Sequence, residues 1–423
     1  MESKGGGMKK NILFLILGQV ISVFGGAILR FALSLYVLDQ TGRADIFATI
    51  LAISSIPVLF APIGGVIADR FNRRNLMVLM DMANALLAVV LYLVLGMNQE
   101  IFLVGLLLFI LSFVGSFDTP VVTASIPLLV RQENLEKVNG LVNGVLSLSN
   151  VVAPIIGGIL YSLMGVQTLV ISTTIFFILA AIIESFLKIP FEKRPMEHGA
   201  MKTLTNDLKE GFLEVKNNRV IRNAVIIAAL INFSLASFFI VGTPIILRVV
   251  LQASDSMYGI GMAMISFSTI LGAVLAGYFS KKLTLKTLYR TFALSAGLMM
   301  LMNIGLLFAG SQVGTTISWI FFFATGLPIG MLMSIISIYL MSMVQRITPK
   351  QNLGKIMSII VAAAQCAVPM GQVILGLILK QTNNSVFLPM TLIVLIVLLI
   401  SIWCFQLFRH TEDSDIRYVA KTD

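Results

Sequence analysis

The sequence predicts an all-α polytopic membrane protein with twelve transmembrane helices in two pseudo-symmetric six-helix halves. Three observations carry that prediction. The composition is too apolar for a water-facing surface, twelve stretches are long enough to cross a bilayer, and the second six copy features of the first six.

The composition already excludes several classes. Of 423 residues, 57% are hydrophobic and only 12% are charged. Soluble domains carry about 25% charged residues. The mean hydropathy of +0.96 excludes a disordered chain. Cys366 and Cys404 both lie in apolar runs, so no disulfide framework is expected. With two His and two Cys, no metal cluster is expected either. The net charge of +10 sits in short loops between apolar runs. That pattern reads as membrane topology rather than as a nucleic-acid surface.

A helix needs about 20 apolar residues to span the hydrocarbon core. The qualifying stretches are 11–38, 46–68, 75–97, 101–124, 138–163, 166–188, 220–251, 258–280, 286–309, 315–344, 353–380 and 385–408. Most connections are short; 189–219 is long and charged, with Lys202 to Arg219 suited to an amphipathic helix on the membrane surface. The expected organisation is an N-terminal segment 1–10, a first half 11–188, a linker 189–219, a second half 220–408 and a tail 409–423. Residues 1–7 read as an upstream extension with Met8 as the natural start, and the first apolar run is too long for a signal peptide. With the N-terminus inside, 26 Lys and Arg fall on the cytoplasmic side and only Arg43 and Lys380 on the outer side. Both termini are therefore expected in the cytoplasm.

The repeat is visible in short alignments. Gly65-Val-Ile-Ala-Asp69-Arg70 sits over Gly277-Tyr-Phe-Ser-Lys281-Lys282 at an offset of 212, and the same offset brings Gln40 over Gln252. Arg131 and Pro154 align with Arg346 and Pro369 at an offset of 215. Two parallel six-helix halves are a secondary-transporter plan.

Gly65-x-x-x-Asp69-Arg70-x-x-Arg73-Arg74, between spans 2 and 3, resembles motif A of the major facilitator superfamily. Asn72 stands where the family usually has Gly, and Asn tolerates left-handed backbone better than most residues. In span 5, Gly140, Ser149, Ala153, Pro154, Gly157 and Gly158 resemble the antiporter motif, with Ser149 and Ala153 replacing glycines. Tyr36 to Ala44, Ile126 to Leu135 and Asp81 resemble the branch holding macrolide-efflux and enterobactin-type exporters. The resemblance implies the major facilitator fold, alternating access driven by the proton gradient without another cofactor, and drug-like or siderophore-like cargo. It also implies the cytoplasmic membrane of a bacterium. Asp69 would meet the positive N-terminal end of helix 11 and close an inner gate, with Arg70, Arg73 and Arg74 pairing with acids of the first half. Gly65 would allow the close helix approach this needs.

Charges inside spans are costly and are functional candidates by default. Between Glu214 and Glu412 the only acid is Asp255, in a loop, so the second six spans contain no carboxylate. A side-chain proton carrier is therefore expected on Asp118, Asp81 or Glu184, with Asp118 preferred. Asp81 and Asp118 could reach Arg73 or Arg74, either as a structural network or as the coupling site. A charged partner that comes and goes would change the affinity of either acid for a proton. Glu184 is expected to pair with Lys188 one turn on. Gln19, Ser22, Gly26 and Arg30 share one face of the first span, where Arg30 would meet cargo or a counter-acid. Asn150, Asn232 and Gln365 are further cavity candidates.

The leading expectation is a proton-coupled exporter of amphiphilic small molecules, monomeric and embedded in the lipid bilayer. The sole deep charge near mid-membrane, Arg30, favours neutral or anionic cargo, whereas the resemblance favours macrolides, which are cations. The alternatives are an importer, a facilitator or a lipid flippase on the same fold, and more remotely a receptor or an enzyme. An enzyme would need a nucleophile or metal set that the spans do not offer, so no catalytic activity is expected.

Overall fold

The protein is all-helical, as seen in a computed structural model that describes residues 2–97, 100–130, 135–190, 200–279, 283–309, 312–348, 353–382 and 385–408. The chain begins with α1 (Glu2–Thr41), α2 (Ala44–Ser55), a 3-10 turn over Ile56–Phe60, and α3 (Ala61–Arg70). It continues with α4 (Arg73–Val94), α5 (Glu100–Leu129) and α6 (Leu135–Ser185). Then come α7 (Ala200–Asn217), α8 (Arg219–Ile231), the short α9 (Thr243–Ile245) and α10 (Asp255–Phe279). The last four are α11 (Leu288–Leu306), α12 (Gln312–Ile347), α13 (Leu353–Gln381) and α14 (Phe387–Phe408).

These elements give the twelve spans. Second-span residues run through α2, the 3-10 turn and α3, where Pro57 and Pro62 occupy first-turn positions that need no N–H donor. Spans 5 and 6 form one continuous run, α6, that turns at Gly165 with φ 73° and ψ 168°. That backbone is open only to glycine without strain, and it falls between the two stretches the hydropathy separates. Span 7 begins as α8 and continues through π-helical turns at Asn232–Ala236, Phe238–Gly242 and Ile246–Val250. Such i→i+5 turns widen the helix and shift its register.

Asn72, expected to exploit left-handed backbone, does something else. It has φ −63° and ψ 113°, and its side-chain oxygen accepts from the backbone N–H of Arg74 and Asn75. It is the N-cap of α4, a position for which Asn is among the best residues.

Two compact units emerge from the internal contacts. The first is 1–42, 53–198 and 255–263; the second is 43–52, 199–254 and 264–423. Each contains the bulk of six spans and a short piece from the other six.

In the first unit, α1 runs along α6, and α4 packs on both α5 and α6. A core of Leu15, Met77, Val121, Ile126, Val138 and Leu187 fills one end. Asn11 locks α1 to the chain after α6 by an amide pair: its Nδ2 donates to the Lys188 carbonyl, and its Oδ1 accepts from the Lys188 N–H. Close backbone approach is built on glycine. A Cβ on Gly157 would lie 2.8 Å from the Phe31 ring, and one on Gly158 would collide with the Asp255 carbonyl. Gly259 of α10 in turn has no room for a side chain against the Pro154 carbonyl. Helices in lipid associate through such packing rather than through the hydrophobic effect.

The second unit uses the same device. A Cβ at Gly272 of α10 would meet the Met331 backbone of α12, and Gly371 of α13 rests on the Phe233 carbonyl. Neutral hydrogen bonds add to it. Ser237 Oγ donates to the Val368 carbonyl at 2.9 Å, one residue before Pro369 of α13. Asn303 Nδ2 donates to the Phe387 carbonyl and to Thr391 Oγ1 of α14, at 3.1 and 3.0 Å. α2 contributes Ala48, against which Gly376 packs. The linker helix α7 docks on α13: Gly211 sits on the Lys355 carbonyl, and Glu210 pairs with Lys355 at 2.5 Å.

Candidate functional site

The polar stripe on α1 organises a cluster of acids inside the first unit. The 3.6-residue period puts Gln19, Ser22, Gly26 and Arg30 on one face. Ser22 Oγ donates to Asp81 Oδ1 of α4 at 2.6 Å. Gln19 Nε2 donates to Glu184 Oε1 of α6 at 3.3 Å. Asp118 of α5 lies near the Gln19 side chain and the Arg30 guanidinium, which acts on it through its charge. Asp81, Asp118 and Glu184 are near enough to repel one another electrostatically. Four helices thus converge three carboxyls, one guanidinium, one amide and one hydroxyl.

Burial grades across this cluster. Glu184 is 1% exposed and Asp81 4% exposed, whereas Asp118 is half-buried and Arg30 is exposed. The second oxygen of Asp81 is buried with no hydrogen-bond donor among the described residues. Small residues make the room. Gly18 leaves the space that Glu184 fills, since a Cβ there would collide with the Glu184 chain at 2.6 Å. The Arg30 guanidinium folds back over Gly26, 3.4 Å from where a Cβ would stand, and toward Gly115 of α5.

The sequence places some of these residues differently. Glu184 does not face a boundary partner: its side chain enters the cluster, while the Lys188 side chain is exposed. The i,i+4 rule identifies a possible neighbour along one helix, but the void at Gly18 of α1 offers the carboxyl a buried amide across the interface. Gln19, expected to face cargo, is 2% exposed and turned to the acids of its own unit. Asp81 is bonded by Ser22, and Asp118 lies beside Gln19 and Arg30. Arg73 Nε donates to the Ala68 carbonyl at 2.9 Å, and Arg74 reaches Asn75 Oδ1.

The remaining predicted residues are spread over other helices. Asn150 is exposed on α6, four residues before Pro154. Asn232 is half-buried and donates to the Ala228 carbonyl; it borders a crevice of about 100 Å³ in the second unit, with Ser337, Met341 and Ile360. Gln365 is half-buried on α13. Pro154, Gly157 and Gly158 form the tight contact with Phe31 and with Asp255 and Gly259. Arg70 is half-buried at the end of α3, whereas the side-chain surroundings of Gly65 and Asp69, and all of Arg131, lie outside the described residues. Arg248 donates to the Ala253 carbonyl at 2.7 Å. Among the described residues, no group of three or more His, Cys, Asp or Glu could hold a metal ion.

The comparisons with known proteins agree with this architecture. The family model described as Major Facilitator Superfamily matches residues 15–367. Macrolide efflux protein A of Streptococcus pyogenes is 27% identical over 270 residues, which is 62% of this chain and 65% of that protein. Multidrug efflux pump Tap of Mycobacterium bovis is 25% identical over 217 residues, 49% of this chain and 52% of that one. The matched region thus spans under two thirds of these relatives. Among solved structures, the nucleoside transporter NupG superposes with a TM-score of 0.72 at 13% identity, covering 95% of this chain and all of that one. A D-xylose-proton symporter gives 0.67 at 14% identity, covering 94% and 97%. At such identities the likeness speaks for the fold.

Proposed function

The chain belongs to the major facilitator superfamily, and from that premise we propose that it exports amphiphilic small molecules by proton-coupled alternating access. The membrane is the cytoplasmic membrane of a bacterium, with both termini inside. The observation that carries this reading is the acid cluster around Gln19 and Arg30. Three intramembrane carboxyls gathered in the first six helices, with none in the spans of the other six, suit a dedicated proton carrier. The export direction is supported by relatives named for macrolide and multidrug efflux and by the antiporter-like run at Pro154, Gly157 and Gly158.

Asp118 and Asp81 are the coupling acids. Asp118 is the member accessible enough to exchange protons with water, and Arg30 beside it supplies a charge whose approach or withdrawal changes proton affinity. Gly65, Asp69, Arg70, Arg73 and Arg74 work the inner gate. Arg30, Asn150, Asn232 and Gln365 meet cargo, and Gln19 acts on it indirectly through the acids. Since Arg30 is the exposed charge of the cluster, neutral or anionic amphiphiles fit best, with macrolides the cationic case to compare. Protein in lipid acts as a monomer and needs no cofactor beyond the proton gradient.

The test is proton flux in proteoliposomes loaded with a pH-sensitive dye. A macrolide, a neutral amphiphile and an anionic catechol amphiphile are added in turn to wild type and Asp118→Asn. Compound-dependent proton movement in wild type, lost in the variant, is the expected result. Wild type that binds a compound and moves no proton with any of them sinks the proposal.

A further inference from the structure

We propose that Glu184 is a proton-binding residue of the acid cluster, its deepest member, positioned by the Gln19 amide. This deepens the proton-coupled reading above, but its first test stands apart from transport.

The argument is one of charge and place. The groups facing Glu184 are Gln19 from α1, Asp81 from α4 and Asp118 from α5, with Arg30 of α1 beyond Asp118. If all three acids were ionised, one guanidinium would face three negative charges. The net −2 would sit among apolar side chains at membrane depth. Burying an uncompensated ion costs several kcal/mol even after relaxation, and such groups neutralise instead. The distribution of partners decides which acid takes the proton. Asp118 is the acid beside Arg30. Asp81 takes the Ser22 hydroxyl on one oxygen. Glu184 has the Gln19 amide, is 1% exposed, and occupies a space that exists only because residue 18 is glycine.

Gln19 is then a positioning residue. Its side-chain N–H donates to Glu184 Oε1 at 3.3 Å. It fixes the Glu184 carboxyl in place without itself titrating. The chemistry is a simple exchange: a proton from water binds the Glu184 carboxylate, and the carboxyl returns it to water past half-buried Asp118 and exposed Arg30. A role confined to a boundary ion pair with Lys188 would leave Glu184 ionised throughout.

The experiment is infrared spectroscopy of the purified protein in lipid across a pH series, for wild type, Glu184→Gln, Gln19→Leu and Lys188→Ala. Wild type is expected to show a protonated-carboxyl band that fades as pH rises. Glu184→Gln loses that band, Gln19→Leu moves it, and Lys188→Ala leaves it in place. A wild-type spectrum whose carboxyl region is unchanged by Glu184→Gln overturns the proposal. So does a band that disappears in Lys188→Ala. Size-exclusion chromatography confirms that each variant is folded; if Glu184→Gln is not, Glu184→Asp takes its place and is expected to shift the band rather than remove it. Because the band is read without any cargo, a protein that moves no protons can still show it, so the two proposals fail separately.

Discussion

The first six helices and the last six are built alike and bury different polar groups. Both use glycine to bring backbones together, at Gly64 with Phe117 and at Gly272 with Met331. Both have an interior proline, Pro154 in α6 and Pro369 in α13. Both turn through a left-handed residue between their first two spans, Gly42 at φ 56° and Gln252 at φ 48°. The polar interiors diverge. The first six helices bury Asp81 and Glu184 around Gln19, whereas the last six bury hydroxyls and amides such as Ser237, Asn303 and Gln372. The shared features are those that packing demands, and the buried acids of the first set are those that Ser22 and Gln19 bond. An acid in the second set of spans would cost the same desolvation with nothing to compensate it.

Six substitutions test that contrast. The largest effect is expected from Asp118→Asn, which removes the half-buried acid of the cluster and should abolish compound-driven proton flux. The mirror experiment, Asn232→Ala, should leave protons coupled and change only apparent affinity for the compound, read from the concentration dependence of the same flux. Retained flux in Asp118→Asn would erase the functional difference between the two sets of helices.

Next is backbone packing, where the two sets should behave alike. Gly64→Val and Gly272→Val each force a side chain onto a neighbouring backbone. Overpacking of this kind costs about 1–3 kcal/mol. Thermal unfolding in detergent should show comparable falls in Tm, and a fall in one alone would mean that the shared scaffold is not equally loaded.

Ser237→Ala deletes the hydrogen bond to the Val368 carbonyl beside Pro369. A net loss of about 1 kcal/mol is expected, again read as a lower Tm, with proton coupling untouched.

The smallest effect belongs to Asp45. Arg43 and then Lys380 hydrogen-bond its carboxyl and hold it down to about 2, below the ordinary 3.8. A carboxyl with a depressed value stabilises the fold above its ordinary range, and the contribution fades as pH falls toward 2. Asp45→Asn should therefore lower Tm slightly at neutral pH, with the difference from wild type shrinking through that acidic window. A difference that persists unchanged to the acid end would mean the carboxylate charge is not what matters.

Much of the fold is legible in the sequence because hydropathy is a property of a residue and its neighbours in the chain. The twelve stretches, the turn at Gly165 and the absence of carboxylates from the last six spans all follow from it. The candidate site is legible in part. Helical periodicity puts Gln19, Ser22 and Arg30 on one face, and the cost of burying charge singles out Asp81 and Asp118. Glu184 is misread because Lys188 is close in sequence, and the decisive neighbour, Gly18, is 166 positions away. The signal available was negative: a small residue beside Gln19 leaves a hole that some buried side chain must fill.

The sequence by itself determined that this chain is a twelve-span membrane protein of the major facilitator superfamily, with its embedded acids confined to the first six helices. The tertiary structure alone decided that these acids meet one another rather than the basic loop at Arg73 and Arg74. It also decided that Gln19 turns to the acids and that Asn72 caps a helix instead of adopting left-handed backbone. Periodicity fixes which face a side chain occupies. Which helix that face meets depends on where small residues let the backbones close, and that is a property of the packed chain.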